Sequence, residues 1–170
     1  MNYDKIIATA AQEMRASGIR KFFDIAAEMK DCISLGVGEP DFKTPWAVRD
    51  AGIRNLEMGQ TRYTSNSGMK ELRTEICKYL DRRFDLHYDP DSQVLVTVGG
   101  SEAIDIGIRA LVNPGDEVII PEPCYVCYDP ITHLTGGKVV SIPLQEKNQF
   151  RLTAEELKAA ITPRTKLLIL

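Results

Sequence analysis

Gly99, Gly100 and Ser101 have the types and the order that a phosphate group needs. They follow an apolar run at residues 94–98 and open residues 101–112, a stretch that can hold one helix. Two adjacent glycines let backbone approach a ligand with no Cβ in the way. The N-terminus of the helix that follows offers free N–H groups and the positive end of its dipole. The Ser101 hydroxyl adds a donor, and together these make an anion cradle. Glu102 is expected to point away and to serve the helix dipole. The segment is neither the dinucleotide GxGxxG, since the third glycine is missing, nor a P-loop, since no Gly-Lys-Ser/Thr follows. On spacing alone, a strand–turn–helix junction that binds nothing is an equal alternative.

Three further segments carry candidate groups. Pro121-Glu122-Pro123-Cys124-Tyr125 ends a second apolar run, where the ring of Tyr125 can stack on a flat ligand or sit as an ordinary half-buried tyrosine. Gly36-Val37-Gly38-Glu39-Pro40 is a turn in which Gly38 can present its N–H to an anionic substrate. Residues 60–68 form a polar loop carrying Arg62 and Tyr63, either a phosphate contact or a solvated loop. Cys124 and Cys127 make a CxxC, read as two small apolar fillers with a redox pair as the alternative. A structural zinc needs four ligands, and His87 and His133 show no ligand spacing, so no metal is expected.

The elements that must position these groups follow from the pattern. The 170 residues are 44% apolar and 26% charged, with a formal charge of −3. These are globular values, and they give no electrostatic reason to expect nucleic acid or an anionic membrane. No apolar run approaches the ~20 residues of a membrane helix, and the amphipathic N-terminus lacks a secretory signal layout, so a cytoplasmic protein is expected. Residues 17–29 read as an amphipathic helix. Thr44 and Pro45 read as the N-cap and first residue of the next, with Gly59 as its stop. Residues 69–84 form a helix whose Met69, Leu72, Ile76, Leu80 and Phe84 make a buried stripe, with Lys70, Glu71, Arg73, Lys78 and Asp81 on the other faces. Short apolar runs at 94–98, 118–120, 139–142 and 167–170 read as strands buried on both faces. Helices are expected between them at 101–112, 125–134 and 153–161, the last opened by a Thr153–Glu156 capping box. The alternation predicts an α/β fold with a mostly parallel sheet.

Several of these segments occur together in an order that resembles one family. They are Gly38-Glu39-Pro40-Asp41-Phe42 with Thr44-Pro45, Tyr63 with Gly68-Met69-Lys70-Glu71-Leu72-Arg73, and Val96 through Ala103. Pro114-Gly115-Asp116-Glu117-Val118 and Ile161-Thr162-Pro163-Arg164-Thr165-Lys166 complete the set. The chain resembles the class I/II, aspartate-aminotransferase-like, fold-type-I pyridoxal-phosphate enzymes over essentially its whole length. The run at residues 19–31 is most similar to archaeal aromatic-type members. The resemblance implies a three-layer large domain with a mostly parallel sheet, incomplete here, over residues 45–170. Before it, residues 1–44 would be an N-terminal arm and small-domain segment. It also implies that Gly99, Gly100 and Ser101 hold the phosphate of pyridoxal 5′-phosphate and that Tyr125 stacks on its ring. Tyr63 would reach the partner's cofactor in a homodimer, and Gly38 would meet the substrate carboxylate. The implied reaction moves an amino group between an aromatic or broad-range amino acid and a 2-oxo acid such as 2-oxoglutarate.

The family's lysine, the carrier of the cofactor, belongs to a later motif. No lysine here matches it, so no catalytic residue is assigned before Leu170. The expectation is an N-terminal portion of an aminotransferase, inactive as these 170 residues alone. A non-catalytic phosphate-binding or subunit-interaction module stands as the alternative, as does another pyridoxal-phosphate chemistry: a lyase, decarboxylase or synthase.

Overall fold

The computed structural model describes residues 5–14, 18–31, 33, 38 and 40–170. Gly36, Val37 and Glu39, named above, and the first residue of the expected helix at 17–29 lie outside the described residues. The chain divides into two compact units: Gly18–Val96, and Thr97–Leu170 together with the N-terminal residues.

The regular elements described in the first unit are helices. After a five-residue helix α1 (Thr9–Glu13), which belongs to the second unit, come α2 (Ile19–Glu28), α3 (Trp46–Glu57) and α4 (Lys70–Phe84). Helix α3 starts one residue later than expected. Pro45 is its N-cap rather than its first residue, because ψ of 141° holds Pro45 extended, and no side chain caps the helix. On its surface Asp50 pairs with Arg54 at 2.7 Å, and the Arg49 guanidinium lies 5.4 Å from the centre of the Trp46 ring. Gly59 stops it as expected, at φ +65° with its N–H on Leu56 O.

Helix α4 corrects two expectations. Its stripe is not uniformly buried: Met69, Leu72 and Phe84 are exposed, and the buried residues of the helix are Arg73 and Cys77. The Arg73 guanidinium is enclosed by acceptors brought from elsewhere. Its Nε donates to Gly68 O at 3.2 Å, its Nη1 donates to Pro90 O, and Asp91 lies 3.8 Å away. Lys70 joins the same Asp91 at 2.9 Å, so the motif running from Gly68 to Arg73 ties the start of α4 to the loop at 89–91. The run at 94–98 is not a strand. No strand pairs with it among the described residues, and the Val96 N–H instead donates to Ser67 O. There the chain passes so close to Gly68 that a Cβ on that glycine would meet the Val96 side chain at 2.7 Å.

The second unit is built on a three-stranded parallel sheet. Its elements are α5 (Gly100–Leu111), β1 (Glu117–Glu122), α6 (Tyr128–Leu134), β2 (Lys138–Pro143), α7 (Ala154–Ala160) and β3 (Thr165–Leu168). The order is β2-β1-β3, with Val118 opposite Val139 on one side and opposite Leu167 on the other. Strand β1 is therefore central, and Val118, Ile119 and Ile120 are fully buried, as a continuous apolar run between two neighbours must be. Ile108 of α5 and Val112, which follows it, pack on Val118 and Ile120, with Tyr128 and Ile131 of α6 beside them.

Local signals set the ends of these elements. Helix α6 closes in a Schellman motif: Gly136 stands at φ +79°, its N–H on His133 O and the Gly137 N–H on Thr132 O. The expected capping box opens α7, with Thr153 Oγ1 accepting from the Glu156 N–H and Glu156 Oε2 accepting from the Thr153 N–H. Two of the motifs that carry the resemblance hold each other. Buried Glu117, at the start of β1, takes the Thr162 hydroxyl on one oxygen and both Nε and Nη2 of Arg164 on the other, at 2.9 and 2.6 Å. Thr162 and Arg164 thereby hold its carboxyl below the usual glutamate range, the Thr162 hydrogen bond foremost.

Candidate functional site

The chain leaves β1 toward β2 and then crosses back past β1 to β3, so the strand order reverses at β1. In open parallel sheets, ligands bind beyond the carboxyl ends of the strands at such a reversal. Residues 123–127 follow β1 at that end, and they include Tyr125.

Gly99 is the N-cap of α5, at φ +85° and ψ 168°, a backbone region open essentially to glycine alone. Thr97 Oγ1 donates to Gly99 O at 2.9 Å and steadies the turn. A Cβ added to Gly99 or Gly100 would meet nothing within 4 Å, so the turn faces open space. The first N–H groups of the twelve-residue α5 have no acceptor within their own helix. Glu102 serves the helix dipole, as expected. Its Oε2 accepts the Val98 N–H just ahead of the cap, which keeps its charge folded back at the positive helix end.

Ser101 Oγ lies 3.1 Å from Tyr125 Oη. This contact joins the two strand-end segments that the sequence marks separately. The Tyr125 ring is half exposed and meets the Tyr128 ring edge-on, with centroids 5.7 Å apart. Open space, free N–H donors at a helix N-terminus and a hydroxyl fit a phosphate group, and the half-exposed ring of Tyr125 fits a flat heterocycle beside it.

The other expected site residues lie in the unit Gly18–Val96. Tyr63 is fully exposed, in a loop held by Ser65 Oγ donating to Gly68 O at 2.6 Å. A cleft of about 900 Å³ lies beside it, walled by Met58, Arg62, Met69 and Arg73 among others. Gly38 is exposed, with nothing within 4 Å of where its Cβ would be.

Cys124 and Cys127 are both free thiols, and Cys124 is exposed rather than a core filler. Partial burial raises both thiol pKa values. The carboxylates of Glu122 and Asp129 push Cys124 up further, while a hydrogen bond with Ser101 partly offsets the rise at Cys127. A redox pair needs the opposite, a stabilised thiolate. The fold also groups Asp81, Asp85 and His87, with His87 Nδ1 2.8 Å from Asp81 Oδ1, in a wholly exposed cluster at the end of α4 that the spacing of the histidines did not signal.

Comparison with known proteins bears on this geometry. A family model, aminotransferase class I and II, matches residues 30–170. An aspartate aminotransferase of Pyrococcus abyssi is 46% identical over 91% of this chain and 40% of its own. Aromatic-amino-acid aminotransferase 2 of Thermococcus litoralis is 40% identical over 91% of this chain and 40% of its own. The solved aspartate aminotransferase of Thermus thermophilus with maleate superposes with a TM-score of 0.89 at 34% identity, over 96% of this chain and 44% of that one. The chain thus spans about two fifths of the length of the curated relatives it matches.

Proposed function

The chain belongs to the aminotransferase class I and II family, and from that premise we propose that it is the N-terminal portion of a pyridoxal-phosphate-dependent aminotransferase. In this reading the whole enzyme moves an amino group between an aromatic or broad-range amino acid and a 2-oxo acid such as 2-oxoglutarate. The observation that carries it is the junction of the Gly99-Gly100-Ser101 turn with Tyr125, 3.1 Å from hydroxyl to hydroxyl, at the carboxyl end of a parallel sheet.

Pyridoxal phosphate, when bound, supplies the electron sink for amino-group exchange. The residues of this chain bind and orient. The N–H groups of Gly100 and Ser101 and the Ser101 hydroxyl hold the phosphate, and the Gly99 turn lets backbone come close to it. The Tyr125 ring covers one face of the cofactor. Tyr63, fully exposed here, reaches the phosphate bound by the other subunit of a homodimer. Gly38 gives its N–H to the substrate α-carboxylate. Residues 1–44 act as an arm and small-domain segment, and residues 45–170 as the first part of the cofactor domain. The lysine that carries the cofactor lies outside residues 1–170, so these residues alone are inactive. The names of the Pyrococcus and Thermococcus relatives support an amino-acid donor. No helix among the described residues is long and apolar enough to cross a membrane, which agrees with a cytoplasmic enzyme.

The test is to incubate the full-length protein with pyridoxal phosphate, follow its visible absorbance, reduce with borohydride and map the labelled residue. One labelled lysine beyond residue 170 is expected. A protein that gives no absorbance change, or a label within residues 1–170, refutes the reading. A donor-by-donor screen with 2-oxoglutarate then fixes the substrate class.

A further inference from the structure

Tyr125 has two chemically separable parts, and the reading above uses only its ring. We propose that the Tyr125 hydroxyl is a positioning group that sets Ser101 as a hydrogen-bond donor toward the cofactor phosphate. The inference rests on the pyridoxal-phosphate reading of this site.

A serine hydroxyl has one proton to donate and two lone pairs to accept with, and it rotates to suit its neighbours. Alone at the second position of α5, Ser101 could turn its proton toward any acceptor. Tyr125 Oη lies 3.1 Å from Ser101 Oγ, and either atom can donate in that contact. If Ser101 donates to the phenol, it shows an incoming anion only lone pairs, which repel it. If the phenol and the Cys127 thiol, the other group hydrogen-bonded to Ser101, both donate to it, its two lone pairs are filled and the Ser101 proton is free to point at the anion. An anion bound at the Gly99–Ser101 turn selects the second arrangement. The phenol then acts on the phosphate through Ser101, and the bond also removes rotamer freedom that Ser101 would otherwise lose on binding.

The geometry favours this role over a chance contact. The two residues are 24 apart in sequence, one in the first turn of α5 and the other just after β1. The Tyr125 ring is braced edge-on by Tyr128, which belongs to the core packing of β1 and α6. The loop that carries the phenol is therefore braced on the core through Tyr128.

The experiment uses the full-length protein freed of cofactor and measures equilibrium dissociation constants by fluorescence titration. The ligands are pyridoxal 5′-phosphate and pyridoxal, which lacks the phosphate. Tyr125→Phe keeps the ring and removes only the hydroxyl. It should weaken pyridoxal phosphate about 3- to 10-fold, the worth of one neutral hydrogen bond, and leave pyridoxal unchanged. Ser101→Ala should weaken pyridoxal phosphate at least as much, and Tyr125→Phe in the Ser101→Ala background should cost nothing more. Unchanged pyridoxal phosphate affinity in Tyr125→Phe overturns the proposal. So does an equal loss for pyridoxal, which would place the hydroxyl on the ring end of the ligand, and so do additive losses in the double variant. A wild-type protein that binds pyridoxal phosphate no better than pyridoxal overturns the reading of the Gly99–Ser101 turn as well, so the two failures are distinguishable.

Discussion

Replacing Gly68 with alanine tests how the loop carrying Tyr63 is held. Gly68 stands at φ +89°, and an added Cβ would lie 2.7 Å from Val96 Cβ and 2.8 Å from Val96 Cγ2. Two costs therefore add. A side chain in the left-handed region costs about 1–2 kcal/mol. Forcing a methyl into a filled site costs about 1–3 kcal/mol more. Gly59 separates them, because at φ +65° it has nothing within 4 Å of its would-be Cβ. Gly59→Ala should lose only the first cost, about 1–2 kcal/mol, and Gly68→Ala roughly 2–5 kcal/mol. Val96→Ala removes the two Cγ atoms but leaves the Cβ at 2.7 Å, so in the Gly68→Ala background it should recover only part of the loss. Urea denaturation of each variant, compared by midpoint at constant slope, reads these differences. Equal midpoints for Gly68→Ala and Gly59→Ala would show that the approach to Val96 exerts no steric restraint and refute the reasoning.

Gly99→Ala should cost about 1–3 kcal/mol from backbone alone, since its φ of +85° and ψ of 168° admit few side chains while nothing lies within 4 Å. Phosphate affinity, read by competition with pyridoxal phosphate, should fall with it, and wild-type affinity would remove the turn from the site. Glu117 is held below the ordinary glutamate range by Thr162 and Arg164, so its folded value lies below its unfolded one. Its contribution to stability is present above the ordinary value of 4.5 and is lost as pH falls through the lowered folded value. The wild type should therefore lose stability on acidification more steeply than Glu117→Gln, and parallel acid limbs would contradict this. Tyr63→Phe should loosen the cofactor in the dimer without changing the melting temperature, because the Tyr63 side chain is fully exposed within its own chain. Unchanged cofactor affinity would take Tyr63 out of the site.

Features that depend on neighbours a few residues apart are legible in the chain as written. The Thr153–Glu156 capping box, the Gly59 stop, the apolar strands around 119, 140 and 167 and the glycine-opened helix at 100 all stand where the pattern puts them. Each rests on a backbone dihedral, a local hydrogen bond or a run of apolar side chains, and these are written in consecutive residues. The phosphate cradle was legible for the same reason, as two glycines and a serine opening a helix. Which distant groups meet is set by the packing of the folded chain. Arg73 reads as a surface residue on its helix, yet it is buried because Gly68 O, Pro90 O and Asp91 converge on its guanidinium. The apolar run at 94–98 has strand composition, but pairing needs a neighbour alongside, and composition cannot supply one. Ser101 and Tyr125 were each marked as candidates, but their shared hydrogen bond exists because α5 and the end of β1 are packed in one core. Long-range closure of this kind is set by packing of the whole unit, not by any local run of residues.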